Sequence, residues 1–124
     1  MARLARRLGV LVSLSVASVA LSSCGTGGAV ADARLSCQSV HQALALQAHS
    51  EIPGITASRR SALQADAMSA LLKATPAASA ATSIDGSWNP LMTTINEAER
   101  VPLQDLVASL TRLCQVADSS TPYL

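Results

Sequence analysis

The most regular alternation of apolar and polar residues lies near the carboxyl end of the chain, between residues 103 and 117. Apolar side chains recur there every three or four positions, which places them on one face of an α-helix. Asp105 stands in the first turn, where a negative charge complements the helix dipole. The segment is therefore predicted to be an amphipathic helix that buries one stripe of side chains: Leu103, Leu106, Val107, Leu110, Leu113, Cys114 and Ala117.

A first helix is predicted from Ala33 to about His49. Asp32 offers a side-chain cap at its start, and the sequence Ile52-Pro53-Gly54 ends it because proline cannot continue the helical hydrogen bonds. The stripe predicted to face the core consists of Cys37, Val40, His41, Leu44 and Ala48.

A second helix is predicted to begin near Thr56 or Ser58, either of which could cap it, and to run to about Ala74 before Pro76. Its polar residues fall on the face opposite the apolar stripe, which is typical of a helix at the surface of a bundle. The predicted buried stripe consists of Leu63, Ala67, Leu71 and Ala74, widened by Met68 and Leu72.

The part of the chain between residues 76 and 89 lacks a clear period and contains the turn signal Asp85-Gly86, so we expect a long connection there. Asn89-Pro90 resembles an N-cap followed by proline at the first helical position, which predicts a helix to about Arg100. Pro102 then either separates this helix from the last one or kinks a single long helix. The bundle would accordingly contain four helices or three.

The composition favours an all-α fold. Alanine and leucine, which are strong helix formers, dominate the chain. Phenylalanine is absent, and there is one tryptophan and one tyrosine. The β-branched and aromatic residues that favour strands are therefore scarce. The expected architecture is a small helical bundle with a core of small and medium aliphatic side chains.

The first 28 residues have the organisation of an export signal. MARLARR is followed by an apolar run of about 14 residues, which is near the usual length of a signal-peptide core and shorter than the roughly 20 residues of a membrane span. Leu21-Ser22-Ser23-Cys24, with Gly25 after it, resembles the lipobox of bacterial lipoproteins. The alanine-rich and arginine-rich composition resembles that of small actinobacterial lipoproteins.

This resemblance implies that residues 1–23 are a lipoprotein signal peptide that is cleaved before Cys24. It also implies that the Cys24 thiol receives a diacylglycerol group, which would hold the protein on the extracytoplasmic face of the cell membrane. Residues 24–31 (CGTGGAVA) would then be the lipidated cysteine and a flexible, glycine-rich tether. The helical domain is expected to cover residues 32–118, and residues 119–124 to be a flexible tail.

Lipidation of Cys24 leaves Cys37 and Cys114 as a pair in an oxidising compartment, where a structural disulfide is expected. Their spacing does not match the C-x-x-C arrangement of redox dithiols or the paired ligands of zinc sites. A disulfide requires the two Cα atoms to lie within about 7 Å. The start of the first helix must then lie beside the end of the last, as in antiparallel packing.

The charge of the chain excludes some partners. The whole sequence has a formal charge of +1, and removal of residues 1–23 with Arg3, Arg6 and Arg7 leaves six basic and eight acidic side chains, a charge of −2. A nearly neutral domain with few aromatic residues lacks the basic surface that binds nucleic acids. We therefore expect no nucleic-acid partner.

No catalytic motif is present in the sequence. The two histidines, His41 and His49, are separated by eight residues, which places them about 12 Å apart along a helix, too far to share one metal ion. Gly-x-Ser-x-Gly, Ser-x-x-Lys and phosphate-loop patterns are absent. Glu97 and Glu99 beside Arg100 are expected to be surface charges. We therefore expect a protein that is not an enzyme and that binds no metal and no cofactor.

Trp88 has two interpretations. Tryptophan is enriched at interface hot spots, so Trp88 could anchor a partner. In a core without phenylalanine it could instead cover one end of the bundle. The leading functional hypothesis is a membrane-anchored, non-enzymatic interaction module for another component of the cell envelope. The alternative is a lipoprotein that binds a small apolar ligand or lipid between its helices.

Overall fold

The computed structural model describes residues 26–120, which form a helical bundle with no strand in that range. Residues 1–25, which include the predicted signal peptide and Cys24, and residues 121–124 lie outside the described residues. The helices are α1 (Thr26–Ser50), α2 (Ala57–Leu72), α3 (Thr75–Ile84), α4 (Asn89–Glu97) and α5 (Leu103–Ser119), with a short 3₁₀ helix (Gly86–Trp88) before α4. The all-α prediction is confirmed.

Helices α2 and α3 form one bent helical segment. Only Lys73 and Ala74 separate them, and both residues have right-handed helical backbone angles. Thr56 caps the start of α2, where its side chain accepts a hydrogen bond from the Arg59 N–H at 3.1 Å. If α2 and α3 are counted as one segment, the bundle has four helical segments, the upper number predicted from the sequence.

Helix α1 is the centre of the bundle and contacts α2, α3 and α5. The α2–α3 segment runs antiparallel to it. Near one end, Arg60 donates from Nε to the Ser50 carbonyl at 3.1 Å, and further along Ser36 donates from Oγ to the Ala74 carbonyl at 2.9 Å. At the other end, a Cβ placed on Gly28 would lie 3.7 Å from Cδ1 of Ile84.

The disulfide between Cys37 and Cys114 joins α1 to α5, with an S–S distance of 2.08 Å and a Cα–Cα distance of 5.5 Å. The predicted pairing is confirmed. Because α1 begins at Thr26, Cys37 lies near the middle of that helix, so the end of α5 meets the middle of α1 rather than its start. Gln47, later in α1, lies beside Leu103 at the start of α5, so the two helices are antiparallel. Helix α4 packs against α3 and α5.

The core consists largely of small side chains. Almost half of its buried hydrophobic residues are alanines, and the larger fully buried ones are Val40, Leu71, Leu91, Ile95 and Leu110. Alanine allows helix backbones to approach closely, and dispersion contacts then extend over the whole length of each helix pair. A chain without phenylalanine can therefore still fill its interior.

The predicted start of the first helix is wrong, because α1 begins at Thr26 rather than at Ala33. The part of the predicted tether that the structure describes is helical, and Ala29 and Val30 are 0% and 9% exposed. Packing of these two side chains into the core offsets the low helix propensity of the neighbouring glycines.

The predicted buried stripe of the first helix is also partly wrong, since His41 and Ala48 are exposed. The buried face consists instead of Ala29, Val30, Ala33, Ser36, Cys37, Val40, Ala43, Gln47 and Ser50. This face is wide because α1 is covered by α2–α3 and by α5, and it includes polar side chains that the pattern of apolar residues does not reveal.

The long connection predicted over residues 76–89 is wrong, because most of it forms α3 and the 3₁₀ helix. The residues that α3 buries are Ala78 and Ala81, which are too small to produce a visible apolar stripe. Thr82 and Ser83 each donate a hydroxyl hydrogen bond to the carbonyl four residues earlier, so their side chains do not compete with the helical backbone. Pro76 lies in the first turn, where proline is tolerated.

Pro102 lies in the connection between two separate helices. Helix α4 ends at Glu97, and Pro102 has an extended ψ of 137° immediately before α5. The structure thus shows that Pro102 separates α4 from α5 and does not kink a single long helix. Helix α4 also begins one residue earlier than predicted, so Asn89 is its first residue and provides no side-chain cap.

Candidate interaction surfaces

The two cysteines of the disulfide are completely buried. Because neither sulfur is accessible to a second thiol, the bond is suited to cross-linking the fold rather than to exchange with a substrate. It encloses most of the folded chain, with 77 residues of sequence separation between its two ends. The disulfide therefore stabilises the fold.

Arg34 caps the carboxyl end of α5, beside the disulfide. Its Nε donates to the Ala117 carbonyl at 2.9 Å, and its Nη2 donates to the Ser120 carbonyl. The last carbonyls of a helix have no partner within the helix, and a guanidinium can satisfy two of them at once. Arg34 therefore holds the last turn of α5 against α1.

His41 is paired with Asp118 on the surface near the disulfide. Nε2 of His41 lies 3.0 Å from Oδ2 of Asp118, and about half of each side chain is exposed. Such an exposed pair contributes little to stability. Within residues 26–120, no three histidine, cysteine, aspartate or glutamate side chains cluster as a metal site would require.

Trp88 lies in the 3₁₀ helix with 7% of its surface exposed, and it belongs to the hydrophobic core. A recognition anchor must be accessible to its partner, so the burial favours the packing interpretation. Asp85 precedes this 3₁₀ helix, and its carboxylate accepts a hydrogen bond from the Ser87 N–H at 2.9 Å. That backbone hydrogen bond, together with one from the Ser87 side chain, lowers the pKa of Asp85.

The charged residues near the end of α4 lie at the surface, as the sequence predicted. Arg100 pairs with Glu97, three residues earlier, and the arginine side chain is largely exposed. Glu99 is exposed in the same turn. Nothing in this arrangement brings two carboxylates together around a cavity.

A depression of about 200 Å³ lies where α1, α2 and the start of α5 meet. We call it the glutamine groove; its lining residues are Gln47, Gln64, Met68, Pro102, Leu103 and Gln104. It is open to solvent, and three amide side chains share its lining with Met68, Pro102 and Leu103. Amides both donate and accept hydrogen bonds, so this lining suits a polar chain better than an enclosed apolar ligand.

Gln47 is the fixed part of the glutamine groove. It is 4% exposed, and its Nε2 donates to Oε1 of Glu51 at 2.9 Å. Gln64 and Gln104 are exposed and free to turn toward a partner. The sequence analysis missed these three residues. A polar residue at the spacing of the buried face, seven positions after Val40, was the signal that could have identified Gln47.

In the part of the chain that the structure describes, five large hydrophobic side chains are about half exposed, and they are distributed over the surface: Leu35, Ile52, Leu72, Ile84 and Val116. Ile84 lies beside the start of α1, and Leu35 is two turns into the same helix. Ile52 lies in the turn that follows α1, at the opposite end.

None of the helices in the described part of the chain is long and apolar enough to cross a membrane. Cys24, the predicted lipid attachment residue, precedes Thr26 by two positions and lies outside the described residues. Comparison of the chain with protein-family models, with curated proteins and with solved structures finds no match.

Proposed function

We propose that this protein is a lipid-anchored, non-enzymatic interaction module on the extracytoplasmic face of the cell membrane, and that the glutamine groove binds a protein component of the envelope. The observation that carries the proposal is the position of the glutamine groove relative to the lipobox. Gln47 follows Gly28 by 19 residues, so the groove lies about 28 Å along α1 from the end that Cys24 would tether.

The lining of the glutamine groove supports a polypeptide partner. Gln64 and Gln104 come from different helices and can each bond a peptide N–H and a peptide carbonyl. Met68 lines the same groove, and its flexible thioether adapts to different side chains. An extended segment of a partner would thus find both hydrogen bonds and an apolar contact.

The helices that carry the glutamine groove are rigidly held, which is a second argument for a binding role. Gln47 is held by Glu51, and the helices that carry the groove are cross-linked through the disulfide between α1 and α5. A preorganised surface loses less conformational entropy when it binds. The module is therefore suited to holding a partner rather than to a reaction that requires closure.

Anchoring is tested with Cys24→Ala in a bacterial host that processes lipoproteins. Wild-type protein should incorporate labelled palmitate, migrate as the cleaved form and float with membranes in a density gradient. The Cys24→Ala protein should fail in all three respects. Membrane flotation and cleavage of the variant at wild-type levels would refute the anchor.

The groove is tested by photo-crosslinking in intact cells, with a benzophenone amino acid placed at Gln64 or at Gln104. Gln115, an exposed glutamine on another part of α5, is the matched control position. The same discrete adduct is expected from both groove positions and not from Gln115. Equal adduct patterns at all three positions would exclude the groove as the binding surface.

A further inference from the structure

The start of α1 lies almost directly at the predicted lipid attachment point. Two residue steps separate Cys24 from Thr26, and two residues of chain span at most about 7 Å. The predicted tether of eight residues would have allowed the domain to move freely above the bilayer. Because α1 begins at Thr26, the bundle must stay within a few ångströms of the lipid headgroups.

The surface at this end of the bundle carries exposed apolar side chains. Gly28, Ala31 and Leu35 share one exposed face of α1 because they are separated by three and four residues. Ile84, at the end of α3, lies against the same face at Gly28. We call these four residues the anchor-proximal face. Leu35 and Ile84 are 54% and 44% exposed.

None of the four residues of the anchor-proximal face is charged. The exposed positions that continue it along α1 are Gln38, Gln42, Ala45 and, toward the far end, His49, and α3 contains no charged residue. Two carboxylates lie at its margin and would stay on the water side of the interface: Asp32, which is partly exposed, and Asp85, which directly follows Ile84 and accepts a hydrogen bond from the Ser87 N–H. Charged side chains resist transfer toward the hydrocarbon, whereas an uncharged face with two large aliphatic side chains can enter the interface.

We propose that the anchor-proximal face rests on the bilayer, with Leu35 and Ile84 in contact with the lipid interface. This inference depends on the lipid anchor of the proposed function. Leu35 lies about 10 Å further along α1 than Gly28, a distance similar to the depth of interfacial insertion. Helix α1 must therefore be inclined toward the membrane rather than perpendicular to it.

The inclined orientation leaves the glutamine groove accessible. Successive helical residues are rotated by about 100°, so Gln47 is turned about 100° around α1 from Gly28, whereas Leu35 is turned only about 20°. The groove thus lies to one side of the surface of α1 that contacts lipid, and not on that surface. The bilayer and the partner would bind to different surfaces of the same helix.

Tryptophan scanning in vesicles tests this orientation. Lipidated protein carrying Leu35→Trp or Ile84→Trp is reconstituted in vesicles of phosphatidylcholine and phosphatidylglycerol, with or without bromine on the acyl chains. Ile52→Trp is the matched control, because Ile52 is 49% exposed at the opposite end of α1. Native Trp88 contributes the same background to every sample.

Emission from Leu35→Trp and Ile84→Trp should shift to the blue on vesicle binding and be quenched by brominated lipid, while the added emission of Ile52→Trp should be neither shifted nor quenched. If all three variants float with the vesicles but show equal quenching, the orientation is overturned and the anchor stands. If the proteins do not float, the anchor itself fails, and the orientation fails with it.

Hydroxyl-radical footprinting of the unsubstituted protein gives an independent measurement that needs no change in the bundle. Oxidation of Leu35 and Ile84 should decrease in vesicle-bound wild type relative to soluble Cys24→Ser protein. Oxidation of Ile52 and Leu72, which are similarly exposed, should not change. Equal oxidation of Leu35 and Ile84 in the two samples would contradict docking on the bilayer.

Discussion

Loss of the disulfide should remove a large part of the stability of the folded domain. The perturbation is the double substitution Cys37→Ala and Cys114→Ala, made in a mature chain that carries Cys24→Ser so that no other thiol is present. Both cysteines are completely buried and lie on the facing sides of α1 and α5. The substitution therefore removes a covalent link without exposing a new surface.

The magnitude follows from the length of chain that the disulfide closes. With a sequence separation of 77, the loss of chain entropy in the unfolded state corresponds to about 4.5 kcal/mol at 25 °C. Domains of this size are typically stable by about 5–15 kcal/mol. The double variant should therefore unfold at a temperature lower by about 20 °C or more.

Thermal and denaturant unfolding followed by circular dichroism measure the effect. The matched control is reduction of the unfolded protein by a thiol reagent, followed by refolding in its presence, which breaks the same bond without changing the side-chain volumes. Reduction should destabilise the Cys24→Ser protein nearly as much as the double substitution does, and it should leave the double variant unchanged. The small void left by each alanine adds a further loss only to the substituted protein.

Two results would refute this reasoning. The first is a double variant within about 1 kcal/mol of the oxidised protein, which would mean that the unfolded chain is not constrained as the loop length implies. The second is a reagent-treated protein that keeps its full stability although both thiols are shown to be reduced.

Three smaller effects follow from local contacts. Ser36→Ala removes the buried hydroxyl that donates to the Ala74 carbonyl and should cost about 1 kcal/mol in the free energy of unfolding, whereas Ser79→Ala, at an exposed position, should cost almost nothing. Arg34→Ala leaves the last carbonyls of α5 without their guanidinium donor; we expect a loss of about 1.5 kcal/mol and faster amide exchange in the last turn of that helix. The lowered pKa of Asp85 means that its contribution to stability is present above the ordinary value of 3.8 and is lost as the pH falls through the native pKa. Unfolding curves at neutral pH and at about pH 2 should therefore differ less for Asp85→Asn than for the wild type.

The helices that could be predicted from the sequence are those that bury large aliphatic side chains. Leu106 and Leu110 in α5 and Leu63 and Leu71 in α2 recur at helical spacing, and the structure buries all four. The polar faces of these helices are equally regular. Local periodicity was sufficient there because each helix has one core-facing side.

Helix α3 could not be predicted in the same way. Its core contacts are made by Ala78 and Ala81, which differ little in hydropathy from the serines and threonines beside them. These alanines are buried because α3 packs against α1 and α4. The early start of α1 has the same cause, because Ala29 and Val30 are helical where they pack against the bundle.

Some features of the candidate surfaces could likewise be predicted from the sequence, and others could not. The sequence predicted the pairing of Cys37 with Cys114, because the predicted lipidation of Cys24 would leave no other partner and the predicted compartment is oxidising. It did not indicate the glutamine groove, since Gln47, Gln64 and Gln104 belong to three helices and meet only through packing. For Trp88 the sequence left two interpretations, an anchor for a partner or a residue that covers one end of the bundle. The structure shows that its side chain is buried.

The sequence by itself determined the helical class of the domain, its cysteine pair and the resemblance of its first residues to a lipoprotein signal. These properties depend on local composition and on short spacings along the chain. The tertiary structure decided where α1 begins, which faces of α1 and α3 are buried and which glutamines meet. Those properties depend on contacts between residues that are far apart in the sequence, and small side chains make such contacts without leaving a periodic pattern.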